Sequence, residues 1–230
     1  MTNRSLKQKD GQFIIIAVMF ISIMIISLGT ILYSTSTYYK YEPWEEYLTL
    51  IGNIKLSSQR LVELSLANFT NTNTTSVLSE NLRAWQKDLL TIYPAYGIDL
   101  RYVLENDGMS YNWSGQSGIS SANVPFLLDI NSLGLKGYDF KSNILLNLTV
   151  IEPPIGNAIN ITITENGEPV INLKKDNIAI DGYEIANVTT HYDEEYAMIY
   201  TIVLDTAENV SQPVTISVWD FKGIKVQATY

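Results

Sequence analysis

From Phe13 to Tyr33 the chain reads FIIIAVMFISIMIISLGTILY, without one charged side chain. A helix over this run, at 1.5 Å per residue, would be roughly 31 Å long, the thickness of a bilayer's hydrocarbon core. The run outlasts the apolar stretch of about 7–15 residues found in a cleaved secretory signal. Arg4, Lys7 and Lys9 precede it, and such charges favour a cytoplasmic N-terminus. Tyr33, Tyr38, Tyr39, Tyr41 and Trp44 follow it, as in an aromatic belt at headgroup level. The sequence therefore predicts a single-pass membrane protein whose C-terminal body lies outside the cell.

Charge and composition narrow what that body does. The formal net charge is −9, and most of the basic residues ahead of the body belong to the leader. An acidic body has no footprint for nucleic acid, where phosphate neutralisation needs Lys and Arg. Cysteine is absent, which rules out disulfides, thiolate metal sites and Cys nucleophiles. Sequons of the form N-x-S/T begin at Asn68, Asn73, Asn112, Asn147, Asn160, Asn187 and Asn209. They matter only outside the cytosol, so they agree with the orientation set by the leader, and these asparagines are the candidate glycosylation sites.

The body changes period part-way along. Pro43 precedes a pattern in which Tyr47, Ile51, Ile54, Ser58, Leu61 and Ser65 recur at threes and fours, as on one face of a helix. Small residues in the stripe (Gly52, Ser57, Ser58, Ser65) would let a neighbour approach closely. After the polar spacer NTNTT, Leu78, Leu82, Trp85, Leu89 and Ile92 repeat the pattern, with Thr75 or Ser76 as N-cap and Pro94 and Gly97 as stop. The two helices predict a stalk or an antiparallel hairpin. Beyond Arg101 the period falls to two, at Ile144–Leu146–Leu148–Val150, Ile159–Ile161–Ile163, Val214–Ile216–Val218 and Ile224–Val226–Ala228. These are half-buried strands. Asn166-Gly167 and Asp181-Gly182 predict two-residue hairpin turns with positive φ at both positions. Asp220-Phe221-Lys222-Gly223 predicts a type I turn closed by glycine. Leu100 to Gly137 reads as a surface loop followed by strands at Val124–Ile130 and Asp139–Ile151. The expected fold class is α+β, with an N-terminal transmembrane helix, a helical stalk or hairpin and a C-terminal Ig-like antiparallel β-sandwich.

Chemistry-bearing motifs are scarce. His191 is the one histidine, and it lies in THYDEEY, which predicts a hairpin-tip residue. Asp193-Glu194-Glu195 lacks the alternating spacing of a Ca²⁺ loop. There is no phosphate-binding loop, HExxH or GxSxG. Trp85 is expected in the helix core, Trp219 over a sheet edge and Trp113 in an exposed loop. The sequence predicts no enzyme, no cofactor and no metal.

The stretch KQKDGQFIII, a basic leader, Gly11-Gln12 and then an apolar helix, resembles the class III signal of archaeal type IV pilin-like proteins. The specific match covers about residues 4–33, and Asp10 stands where the family usually carries Lys or Arg. The resemblance implies cutting between Gly11 and Gln12 by a prepilin-type peptidase, with the helix kept to pack against sister subunits in a filament. Ala17, Ser22, Ser27 and Gly29 are small enough for such packing. It divides the chain into a cytosolic leader 1–11, a transmembrane helix 12–33, a helical juxtamembrane region 34–100 and a β-sandwich ectodomain 101–230. The expected function is a non-catalytic subunit or accessory of an archaeal surface filament. The alternative is a permanently anchored Ig-like domain that serves adhesion or binds a ligand or envelope component.

Overall fold

The computed structural model describes residues 18–34, 44–151, 156–193, 197–206, 210 and 213–230. The chain divides into two compact units, Met1–Ile51 and Gly52–Tyr230. In the first, residues 18–34 form helix α1, and every described side chain on it is exposed. No helix among the described residues is long and apolar enough to cross a membrane. Residues 13–17 of the apolar run, and Gly11 and Gln12, lie outside the described residues.

The second unit is α+β and is built on one large antiparallel sheet. Its helices are α2 (Trp44–Thr72, which begins in the first unit) and α3 (Val77–Ile92). The predicted stripes hold in part. Ile54, Ser58 and Ser65 of α2 are buried, joined by Val62, Leu66 and Phe69, while Leu78, Leu82 and Leu89 are the buried residues of α3. Of the four small residues, Ser58 and Ser65 serve the expected close approach, whereas nothing lies within 4 Å of the Gly52 Cβ position. Trp85 Nε1 donates to Ser58 Oγ at 3.1 Å, and Asn81 Nδ2 donates to Ser65 Oγ at 2.9 Å. These bonds make the pair a helical hairpin rather than an extended stalk. Ile92 is exposed.

The strands are β1 (Ile98–Tyr102), β2 (Met109–Asn112), β3 (Ser117–Ile130), β4 (Leu135–Val150), β5 (Ala158–Glu165) and β6 (Glu168–Pro169), then β7 (Ile178–Ile180), β8 (Ile185–Asp193), β9 (Ala197–Leu204), β10 (Thr215–Trp219) and β11 (Lys225–Thr229). The larger sheet has the order β1-β3-β4-β5-β9-β8, with β2 also on β3 and β6 on β5. The smaller has the order β11-β10-β7. The stretch read as a surface loop ahead of the Val124–Ile130 strand instead holds the end of β1, all of β2 and the first half of β3, which runs on through that expected strand. Pro125 sits inside β3, where β1 has ended and β2 has not begun. A residue without an N–H is tolerated at such a gap.

One face of the large sheet is buried. Along β3 every second residue from Gly118 to Ile130 is buried, and β4 repeats the alternation from Phe140 to Val150. Two different covers share this face. At one end α3 lies over it, with Leu78 and Val124 both meeting Gly108 and Gln86 Nε2 donating to Leu100 O. At the other end β11 crosses β3, with Gln227 O seated on Gly118, Thr229 N donating to Gly115 O and Ser120 Oγ donating to Lys225 O. A fully buried leucine on such a face contributes about 1.5–3 kcal/mol.

The turns follow their residues closely. Asn166 and Gly167 both have positive φ (52° and 87°) in the β5–β6 hairpin, as the two-residue turn requires. At Asp181-Gly182 only Gly182 is positive (82°), with Tyr183 N bonded to Ile180 O. Ile180 and Tyr183 form an antiparallel bridge across this two-residue turn, but the turn has the type II pattern rather than the expected positive φ at both positions. The β10–β11 turn closes with Gly223 N on Asp220 O and Gly223 at φ 81°.

Candidate functional site

The predicted acceptor asparagines fall into distinct environments. Asn68 is exposed on the last turns of α2, its Oδ1 accepting from Thr72 Oγ1 at 3.0 Å. Asn73 is exposed just beyond α2 at φ 59°, a conformation asparagine tolerates well, and its Oδ1 accepts from Tyr111 Oη at 3.0 Å. Asn112, next to Tyr111, is exposed, and its Oδ1 accepts from Ser114 Oγ at 2.7 Å. The Tyr111 ring lies 5.3 Å from Phe69. One tyrosine thus brings the Asn112 sequon beside the neighbouring Asn68 and Asn73 sequons, with Tyr111 and Asn73 lying 38 residues apart in the chain. Nothing in the local pattern signals this, because it depends on how β2 docks beside the end of α2.

Asn147 and Asn160 lie on the phase of β4 and β5 opposite the buried residues, yet both are half-buried. Asn147 Oδ1 is buried without a partner among the described residues, and Asn160 Oδ1 accepts from Thr201 Oγ1 at 2.8 Å. Asn187 is exposed on β8. Asn209 lies outside the described residues.

His191 is not at a hairpin tip: it lies within β8, opposite Ile199 of β9, and is exposed. Asp193 ends β8, and Glu194 and Glu195 lie outside the described residues. Among the described residues no three His, Asp or Glu side chains could share a metal. Trp85, Trp113 and Trp219 have structural partners. Trp113 stacks on Tyr111 at 4.2 Å, its Nε1 donates to Ser120 Oγ, and Lys225 Nζ sits 5.4 Å from its ring. The Trp219 ring lies 5.5 Å from the same Nζ, and its Nε1 donates to Asn71 Oδ1. Trp85 is half-buried against α2.

The densest electrostatic feature is a knot that the sequence did not reveal. Lys222, in the β10–β11 turn, pairs with Glu63 of α2 at 3.1 Å and with Glu165 at the end of β5. Burial pushes the lysine pKa down, but hydrogen bonds to Glu165 and Glu63 outweigh it and the pKa is raised. Asp220, two residues earlier, is buried. Its Oδ1 accepts from the Lys222 and Ile224 N–H groups at 2.9 and 2.8 Å, while Oδ2 has no partner among the described residues. Burial raises the Asp220 pKa, opposed by those two hydrogen bonds and reinforced by Glu165. Three carboxylates therefore face one ammonium.

This predicts a pH dependence. An acid whose folded pKa is raised contributes most below its unfolded pKa of about 3.9, and that contribution is lost as pH rises through the folded value. Asp220→Asn keeps the Oδ1 acceptor and removes the charge. It is expected to raise the melting temperature at pH 7, with the advantage gone at pH 3.5. An equal advantage at both pH values would show that the charge is not what matters.

The geometry leaves an exposed apolar helix, a sequon-bearing surface and a body fastened by internal pairs. None of the protein-family models, curated proteins or solved structures compared with this chain matches it.

Proposed function

We propose that the protein is a non-catalytic, single-pass, pilin-like surface protein, a subunit or accessory of an archaeal surface filament. The observation that carries this is helix α1. Its large apolar side chains from Val18 to Tyr33 are 54–75% exposed. An apolar surface of that size marks a membrane or an interaction site, and lipid followed by sister helices in a filament would cover it in turn. The leader ahead of it resembles a class III signal, and the α+β body offers exposed sequons. In this reading the span is transmembrane, the body is an extracellular, Ig-like and glycosylated ectodomain, and the partners are the membrane, a prepilin-type peptidase and sister subunits.

N-terminal mass spectrometry of the native protein tests it. The mature chain is expected to begin at Gln12, and Gly11→Val is expected to abolish cutting while leaving the protein in the membrane. A mature chain that keeps Met1 to Lys9 would sink the filament reading. Asp10 directly before Gly11 favours a second one, a permanently anchored ectodomain that binds a ligand or envelope component, and the uncut chain is its expected result.

A further inference from the structure

Sheet edges expose rows of unpaired backbone groups and invite pairing with another chain. This body guards most of its edges by recognisable means. β1 is five residues long, carries the Asp99–Arg101–Asp129 ion pairs, and has its Leu100 carbonyl taken by Gln86. β2 has four residues, β7 has three and β6 has two. β11 turns outward groups to β3 and to the turn before it, Lys225 O accepting from Ser120 Oγ and Thr229 N donating to Gly115 O.

β8 differs from all of these. It is nine residues long, IANVTTHYD, and lies at the end of the larger sheet. It has no lysine, arginine or proline, and β-branched residues fill its centre. Ala186, Asn187, Thr189, Thr190, His191 and Tyr192 are exposed, so side chains on both faces meet solvent, Tyr192 at 76%. Among the described residues no second strand is hydrogen-bonded to β8 besides β9. Two features interrupt it, and they coincide. A register shift lies between Ile185 and Asn187, and Asn187 opens the sequon Asn187-Val188-Thr189. Asn187 Oδ1 also accepts from the Val188 N–H at 2.9 Å, so this side chain lies along the strand's own backbone and occupies one of its donors.

We propose that Asn187 carries an N-linked glycan that guards the β8 edge against antiparallel pairing with β8 of a second copy. The proposal rests on the body being outside the cell. The donor would be a lipid-phosphate-linked oligosaccharide. The bond from Asn187 Nδ2 to the sugar C1 forms as the C1–O bond to phosphate breaks. The lipid phosphate leaves with the electron pair, and the amide nitrogen gives up one proton. Asn187 Oδ1 remains an acceptor for Val188 N–H, so the modification needs no change in the strand. A hydrated oligosaccharide at the bulge would keep a second strand from the 4.7–4.9 Å separation that pairing requires.

The test uses the full chain, made in a glycosylating archaeal host and solubilised in detergent. Glycopeptide mass spectrometry reads the modification and light scattering reads the size. Wild type is expected to carry sugar on the peptide containing Asn187 and to be monomeric. Asn187→Gln and Thr189→Ala both remove the sequon, and each is expected to raise the share of dimer or larger species at least tenfold. Adding Thr190→Lys to Asn187→Gln should restore the monomer, whereas adding Ala84→Lys, on exposed α3, should not. Bare Asn187 beside modified Asn68, Asn73 or Asn112 would overturn this proposal and leave the surface reading standing. If every sequon is bare and the body is found in the cytosol, both fall. A monomeric Asn187→Gln chain, or equal rescue by both lysines, would overturn the guarding role.

Discussion

Gly118→Ala is expected to destabilise the body by at least about 3 kcal/mol, at or above the upper end of ordinary overpacking. A Cβ at this position would stand 1.7 Å from Gln227 O and 2.6 Å from its carbonyl carbon. Both obstacles are backbone, so no rotamer change relieves the clash. β11 would have to lift from β3, which would break the Thr229 N–Gly115 O and Ser120 Oγ–Lys225 O bonds. The φ of Gly118 is not among the positive ones, so the effect is steric rather than conformational. Gly52→Ala on α2 is the control: nothing lies within 4 Å of its Cβ position, and an alanine in a helix interior gains about 0.5–1 kcal/mol over glycine. Urea unfolding of the two variants should move the midpoint in opposite directions. A loss below 1 kcal/mol at Gly118 would show that β11 is not seated on β3.

Lys222→Met is expected to cost about 2 kcal/mol, between the values for exposed ion pairs and for fully buried ones. The side chains of Lys222, Glu63 and Glu165 are each less than a fifth exposed. Removing the cation leaves Glu63, Glu165 and Asp220 facing one another without compensation. The wild-type contribution has a definite pH signature. Because the folded lysine pKa is raised above the ordinary value of 10.5, its stabilisation is fully present below that value and is lost as pH rises through the folded one. Wild type and Lys222→Met should therefore converge in melting temperature in strongly alkaline solution. A constant difference between neutral and alkaline pH would assign the effect to lost packing of the lysine stem.

The parts of the fold that were legible share one property: their pattern is written by the element's own neighbours in sequence. Leu78, Leu82 and Leu89 announce α3 because a helix returns to the same face every three or four residues. Ile159, Ile161 and Ile163 announce β5 because a strand returns every two. The Asn166-Gly167 and Asp220-to-Gly223 turns depend on local φ preferences. The first half of β3 was illegible for the opposite reason. Its residues Gly118 and Ser120 are small where β11 crosses close above them, and small residues carry little strand signal of their own. His191 was misplaced because THYDEEY is polar enough to read as a turn, while β9 holds it in a ladder.

The candidate site divides along the same line. By itself the sequence determined the uncharged run from Phe13 to Tyr33, the basic leader before it, the absence of cysteine, and which asparagines stand in sequons. These properties follow from residue identity alone. Only the tertiary structure decided that Tyr111 joins Asn73 to Asn112, that Asn147 is half-buried while Asn187 lies on an open edge, and that Lys222 ties α2 to two hairpins. Each of these is a contact between segments far apart in the chain. It exists because the buried face of one long hairpin, β3 and β4, had to be covered by helices at one end and by strands at the other.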